Sequence, residues 1–309
     1  MNDRQLRYIL TIAEEKNLTA AAKKLYISQP SLSNLLEHVE TELNVKLFQR
    51  TPAGMILTDA GHLYADTARQ ILGLLRNLDL KLDETREFRH GAMSIGCSHQ
   101  LSPFIFPKIV PAIRKQFPHY TLRLYEDRMS CLQEKLLAGE LDIVFLYNET
   151  PLNRIKKIPF SSERLYLLTP AWFDSDAIRI IDGFETLTDF SVLKDQPFAL
   201  FKRGHYLRKY SDLIFAENDF EPYVVLETDN WQTCITMAES GEAFTMLPYS
   251  PLTASASADS VIYHMRKIVL TGDYRRNLCI CFREELEDHA VVQAFIQISR
   301  SIASYYSTE

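Results

Sequence analysis

The chain is 309 residues long, 46% hydrophobic and 24% charged, an ordinary globular composition with room for two or three domains that excludes disordered, collagen-like and disulfide-dense classes. No apolar run approaches the ~18 residues of a membrane span, and Met1-Asn2-Asp3-Arg4-Gln5 lacks a signal-peptide core, so a cytoplasmic protein with no membrane partner is expected. The net charge of −6 argues against a polyanionic partner, but residues 1–90 carry 12 basic and 12 acidic side chains, which leaves 22 and 28 for residues 91–309 and places the acidity in the C-terminal part.

The first predicted helix runs from Asn2 to Lys16, with Leu6, Ile9, Leu10 and Ala13 as its apolar stripe and Asn17 at its end. Thr19 is the expected cap of a second helix, whose Ala20-Ala21-Ala22 run lets another helix pack closely. That helix ends at Leu25 or Tyr26. Ser28 then reads as an N-cap, and Pro30 falls in a first turn where its missing N–H costs nothing, so a third helix follows after a short turn. Two helices joined in this way suggest helix-turn-helix. Leu32, Leu36, Val39 and Leu43 share one face of the third helix, whereas Gln29, Ser33, Asn34 and His38 lie off it and are free to enter a groove. Val45 to Arg50 and Met55 to Leu57 read as two short strands around the turn Thr51-Pro52-Ala53-Gly54, which makes a wing.

Thr58 caps a long helix in which Tyr64, Ala68, Ile71, Leu75, Leu78 and Leu82 recur at spacings 4-3-4-3-4. A sustained 3.5-residue period is a coiled-coil seam and predicts dimerisation; the alternative is a single helix laid on its own C-terminal domain. The charged run from Asp83 to Gly91 reads as the linker.

Beyond it, strands alternate with helices. Met93–Cys97, Thr121–Tyr125 and Asp142–Leu146 read as strands, and Ser102–Gln116 and Cys131–Ala138 as helices. Such βαβ alternation points to a mostly parallel sheet. A second α/β unit spans Leu165 to about His264, with strands at Phe198–Phe201 and Tyr223–Leu226 and helices around Leu207–Asn218 and Trp231–Ser240. Leu278–Phe282 and Ala290–Tyr305 close the chain as a strand and a helix.

The order and spacing of Leu18-Thr19-Ala20-Ala21-Ala22-Lys23-Lys24-Leu25, Ser28-Gln29-Pro30-Ser31-Leu32-Ser33, Leu47-Phe48-Gln49-Arg50 and Leu57-Thr58-Asp59-Ala60-Gly61 resemble the N-terminal domain of the LysR-type transcriptional regulators. The resemblance implies an α+β multidomain protein: a winged helix-turn-helix domain at 1–58, a linker and dimerisation helix at 59–90, and an effector-binding domain at 91–309. It also implies that this last domain is a two-lobe α/β unit resembling periplasmic binding proteins, with lobe I at about 91–161 and 267–309 and lobe II at about 162–266. The implied partners are double-stranded DNA carrying an interrupted palindrome, a small-molecule effector and further copies of the chain as homodimer or homotetramer, with RNA polymerase a further candidate.

Gln29 is the strongest base-reading candidate, because its amide can engage adenine bidentately from the start of the third helix, where the family also places a base contact. Ser31 and Ser33 suit phosphate oxygens, Asn34 and His38 share the exposed face, and Arg50 and Thr51 are wing candidates. Arg50 could instead pair with Glu42 or Asp59. Where the family often has a basic residue after Ser33, this chain has Asn34 followed by Leu35 and Leu36, and the wing tip Ala53-Gly54-Met55 is uncharged. Both departures predict a modest salt dependence for each reading head.

Open α/β sheets bind ligands at the carboxyl ends of their strands, and helix N-termini favour anions. Ser98, His99 and Gln100 stand before a helix expected to be capped by Ser102-Pro103; Met129, Ser130, Tyr147, Arg203, His205, Thr228 and Asn230 follow other strands. Together they suggest a small anionic metabolite between the lobes. Competing readings are weaker. No GxSxG, Walker-type, HExxH or GxGxxG motif occurs, so no enzyme is expected. A solute-binding protein is disfavoured by the DNA-like N-terminal part. The five cysteines (Cys97, Cys131, Cys234, Cys279 and Cys281) form neither a CxxC nor an even framework, so no metal and no cofactor is expected. A redox switch through Cys97 and Cys131 remains the chemical alternative to a metabolite.

Overall fold

A computed structural model describes the chain except residues 1, 53, 86–90, 148–151, 153, 249–264 and 304–309. Three helices open it: α1 (Asp3–Glu15), α2 (Leu18–Lys24) and α3 (Gln29–Leu43). Helix α1 ends with Lys16 in the left-handed conformation, and the α2 cap is Asn17, not Thr19: Asn17 Oδ1 accepts the Thr19 and Ala20 amides at 2.9 and 3.0 Å. With only one residue between the last helical turn and Asn17, the cap falls two positions earlier than the threonine. Ser28 caps α3 as expected.

The antiparallel wing strands β1 (Phe48–Thr51) and β2 (Gly54–Leu57) close the head over a core of Ile9, Ile12, Leu32, Leu36, Val39, Leu47, Phe48 and Met55. Leu43, expected on the apolar face of α3, is instead 42% exposed, because the helix has run past the core it packs on. Helix α1 serves two cores. Ile9 and Ile12 face the head, while Leu6 and Leu10 pack on Ala65 and Ala68 of the long helix α4 (Asp59–Thr85). The predicted seam is therefore divided: Tyr64, Ala68 and Ile71 pack within the chain, whereas Leu75, Leu78 and Leu82 are exposed, as are the neighbouring Leu63 and Leu74. The linker expected from Asp83 to Gly91 begins as the end of α4, and its residues 86–90 lie outside the described ones.

In the C-terminal part, β3 (Gly91–Cys97), β4 (Tyr120–Glu126) and β5 (Ile143–Tyr147) run parallel, with α5 (Ser102–Gln116) and α6 (Met129–Leu137) as crossovers. The 16-residue strand β6 (Ile155–Pro170), not anticipated in the sequence, passes through both lobes. Its first part pairs with β13 (Arg275–Arg283), and its last residues pair with β11 (Thr245–Pro248) and β12 (Met265–Leu270). A hairpin of β7 (Ile178–Ile181) and β8 (Phe184–Leu187) extends that side, while β9 (Pro197–Phe201) and β10 (Tyr223–Thr228) pair in parallel and are flanked by α7 (Tyr206–Glu217) and α8 (Trp231–Glu239). Helix α9 (Ala290–Ala303) returns to pack near α5. Strand β12 is hydrogen-bonded to the last residues of β6 and β13 to its first part, with residues 271–274 between them.

Candidate functional site: reading head and interlobe cleft

The reading surface grows out of the Ser28 cap, whose Oγ accepts the Ser31 amide and lies 2.7 Å from Ser31 Oγ, so both hydroxyls are engaged at the helix start. Gln29, Asn34 and His38 are exposed and have no hydrogen-bond partner among the described residues; Ser33 is half-buried. Arg50 is exposed on β1 and pairs with neither Glu42 nor Asp59 among the described residues. Thr51 donates to Gly54 O at 3.1 Å and so holds the wing turn.

What orients the wing on the recognition helix is Glu40, which the sequence reading passed over. Its carboxylate is buried at the end of α3, accepts the Leu47 and Phe48 amides at 2.8 and 3.2 Å, and binds Lys46 Nζ at 2.7 Å. An acid on the helix face that otherwise carries leucines was the available clue. Gly61 completes the joint: its amide binds Thr58 Oγ1 at 2.9 Å, and a Cβ there would lie 2.0 Å from Leu47 O. The spacing from Leu47 to Gly61 is thus a steric requirement of setting α4 on the wing.

The interlobe cleft is organised by Arg276 and Glu163, both fully buried on the paired strands β13 and β6 and bonded to each other. Arg276 Nη1 donates to the Tyr147 hydroxyl at 2.6 Å, and the guanidinium lies 5.2 Å from the Tyr147 ring of lobe I and 5.0 Å from the Trp231 ring of lobe II. Burial would lower the Arg276 pKa, but Glu163 outweighs it and holds the group above its ordinary value. Burial likewise pushes the Tyr147 phenol up. Neither Arg276 nor Glu163 was singled out in the sequence, because an arginine and a glutamate at strand positions read as solvated residues until their partner is known.

Several predicted residues do converge here. Tyr147 stacks on Tyr206 at 3.8 Å across the lobes, and Gln100 Nε2 reaches Asp229 O at 3.2 Å. His205 stacks on Phe201 at 4.2 Å and caps α7; burial depresses its pKa to about 4, so the ring is neutral at pH 7. Other candidates have structural duties: Asn230 caps α8, Thr228 Oγ1 accepts the Asn230 amide, and Ser98 is buried with its carbonyl closing the turn into α5. Ser102 is the first residue of α5, not its cap; Leu101 holds that position without a side-chain bond, and Ser102 Oγ contacts Glu126. His99 is exposed 3.8 Å from Glu126, Arg203 and Ser130 are exposed, and Met129 packs into the lobe I core. Arg276 Nη2 is ion-paired with Glu163 Oε2, whereas the buried donor Trp231 Nε1 and the Glu163 Oε1 acceptor lack a hydrogen-bond partner among the described residues.

Cys279 and Cys281 are neighbours on β13, while Cys97, Cys131 and Cys234 lie on β3, α6 and α8. Cys97, Cys234, Cys279 and Cys281 are buried, and burial raises all five thiol pKa values, to about 11 for Cys131, whose thiol also bonds to Asp127. No metal-binding cluster occurs, and no helix is long and apolar enough to cross a membrane, among the described residues.

Comparison with known proteins agrees with this architecture. Residues 4–62 match the family model of the bacterial regulatory helix-turn-helix protein, lysR family, and residues 86–303 match the LysR substrate binding domain. The HTH-type transcriptional regulator YcgK of Bacillus subtilis is 26% identical over 97% of this chain and 94% of its own length. The transcriptional dual regulator OxyR of Escherichia coli is 26% identical over 85% and 84%. Among solved structures, a full-length OxyR variant from Pseudomonas aeruginosa covers 100% of this chain and 98% of its own at 24% identity with a TM-score of 0.71. CbnR complexed with its target DNA covers 97% and 99% at 24% identity with a TM-score of 0.61. With both family models matched in order and most of the length covered, the chain belongs to the LysR family of bacterial helix-turn-helix transcriptional regulators.

Proposed function

We propose that this regulator reads an interrupted palindrome with Gln29 on the bases and Arg50 on a flanking phosphate, as a dimer or tetramer whose heads are joined through α4. The domain division 1–58, 59–90 and 91–309 follows, with the lobe II return moved to 271–274. It works in the cytoplasm, beside its DNA, and without a catalytic step. A small anionic metabolite in the interlobe cleft sets its activity by changing lobe closure. The observation that carries the cleft reading is the buried Arg276 guanidinium held between rings from both lobes, beside Trp231 Nε1, a buried donor with no acceptor among the described residues, since a cation and a free N–H donor side by side favour an oxyanion.

A thermal-shift screen of the full chain against metabolites tests this, because a ligand that binds the native state raises its Tm. Carboxylates or phosphates that stabilise the wild type and fail on Arg276→Gln support the reading; stabilisation only by neutral compounds removes the anionic class. Redox switching draws support from relatives named hydrogen peroxide-inducible genes activator, 26% identical to this chain. The raised thiol pKa values run against it, and full oxidant insensitivity of the wild type would end it.

A further inference from the structure

One strong polar contact lies outside both sites. Arg76, on the stretch of α4 that passes lobe I, donates from Nε and Nη2 to the two carboxylate oxygens of Asp142 at 2.9 and 2.8 Å, and also to Ser94 Oγ. Asp142 is fully buried and accepts the Ser94 amide at 2.7 Å, with Arg283 Nη2 at 3.7 Å. This is the planar, two-toothed geometry that fixes orientation as well as distance. A second observation falls one turn earlier. A Cβ on Gly73 would stand 3.0 Å from Ala138 O and 3.1 Å from Gly139 Cα, and one on Gly139, at φ +74°, would stand 2.5 Å from Gly73 Cα. Backbone meets backbone there, so α4 lies in direct contact with the turn after α6 beside the Arg76 fork.

The clamp also lies at one end of the strands that reach the cleft. Asp142 immediately precedes β5, which ends at Tyr147 against Arg276. Ser94 is on β3, which pairs with β5 and leads to Ser98 and the loop bearing Gln100. At about 3.3 Å per residue, β5 carries a displacement of Tyr147 roughly 16 Å to the clamp.

We infer that Arg76 is a positioning residue, through which the state of the interlobe cleft sets the direction of α4 and thereby the spacing of the two reading heads. The inference rests on the proposed reading of the cleft as effector site and of α4 as the joint between copies. Asp142 holds the fork, Gly73 and Gly139 set the approach, and β3 and β5 are the struts.

The test uses the full chain, a two-half-site duplex that it selects from random-sequence DNA, the matching single half-site, and duplexes with the spacing changed by about 5 bp, half a helical turn. Wild type should discriminate against the altered spacing by about tenfold, and Arg76→Gln by less than about threefold, with half-site affinity kept within about twofold, since only the two-headed geometry is lost. Arg76→Lys, which keeps the charge without the fork, should fall between. In the second arm, end-to-end fluorescence transfer reports the bend of the selected duplex. Tyr147→Phe, which deletes the hydroxyl on Arg276, should change the bend in the wild-type background and leave it unchanged in Arg76→Gln. Unaltered spacing discrimination in Arg76→Gln, equal loss of half-site and full-site binding, or the same Tyr147→Phe shift in both backgrounds overturns the inference. A wild type that selects no two-half-site DNA overturns the DNA reading beneath it.

Discussion

In the reading head, Gln29, Asn34, His38 and Arg50 stand exposed with no hydrogen-bond or ion-pair partner among the described residues, on a frame held by Ser28, Glu40 and Gly61. In the interlobe cleft most polar groups are bonded to one another, Arg276 to Glu163 and Tyr147, Gln100 to Asp229 and Thr228 to Asn230, and the buried Trp231 Nε1 is left without an acceptor among the described residues. Under the proposed reading, one surface offers unpartnered side chains to a large, rigid, charged partner. Under the same proposed reading, the other is a set of mutual contacts that a ligand enters and replaces, which would couple binding to the relative placement of the lobes. A surface for reading can be rigid; a surface for switching must have something to exchange.

That contrast predicts where substitutions hurt. Arg276→Met leaves Glu163 as an uncompensated buried charge and should cost about 3–5 kcal/mol of stability in urea unfolding, with most of it recovered in the Glu163→Leu, Arg276→Met double variant; a loss below about 1 kcal/mol would show that the cleft pair is hydrated. Gln29→Ala should leave unfolding unchanged while costing about 1–3 kcal/mol on the selected sequence, with little change on random DNA. Equal losses on both DNAs would remove Gln29 from base reading.

A pH series sharpens the cleft side. His205 has its folded pKa depressed to about 4 from an ordinary 6.5 by burial, with nearby Asp229 opposing. The unfolded chain therefore takes up a proton below pH 6.5 that the folded chain refuses until about pH 4, so stability is full above that window and falls as pH drops through it. Because the ring is only partly buried, the expected loss is about 1–2 kcal/mol. His205→Asn, which keeps an N-cap acceptor, should flatten the profile; an unchanged slope would assign the effect elsewhere. The smallest effect belongs to the wing: Arg50→Ala should reduce the slope of log K against log salt by about one for each head. An unchanged slope would take Arg50 off the phosphate.

The head was legible because its determinants are local. A cap, a proline in the first turn and leucines at helical spacing lie within a few residues of what they specify, and even the misplaced α2 cap was an error of two residues. The seam of α4 was legible as a period but not as a set of partners, since Ala68 and Ile71 meet α1 and Leu78 does not. Strand β6 escaped notice because it is flanked by two different lobes and shows no single alternation along its 16 residues. In the cleft, His205 and Asn230 lie just after strands as expected but act as helix caps, whereas Arg276 sits near the start of β13 and gains its character from Glu163, 113 positions away.

Read alone, then, the sequence displayed the helix-turn-helix, the wing, the long helix and the α/β character of the remainder. Hydrophobic period, capping and turn chemistry all act over a few residues, and a single chain displays them in order. Only the tertiary structure decided which charges are buried together, which half of the α4 stripe is already covered, and that Arg76 clamps that helix to Asp142. Desolvation and ion pairing depend on what lies alongside in space, and residues 66 or 113 positions apart become neighbours only once the sheet has formed.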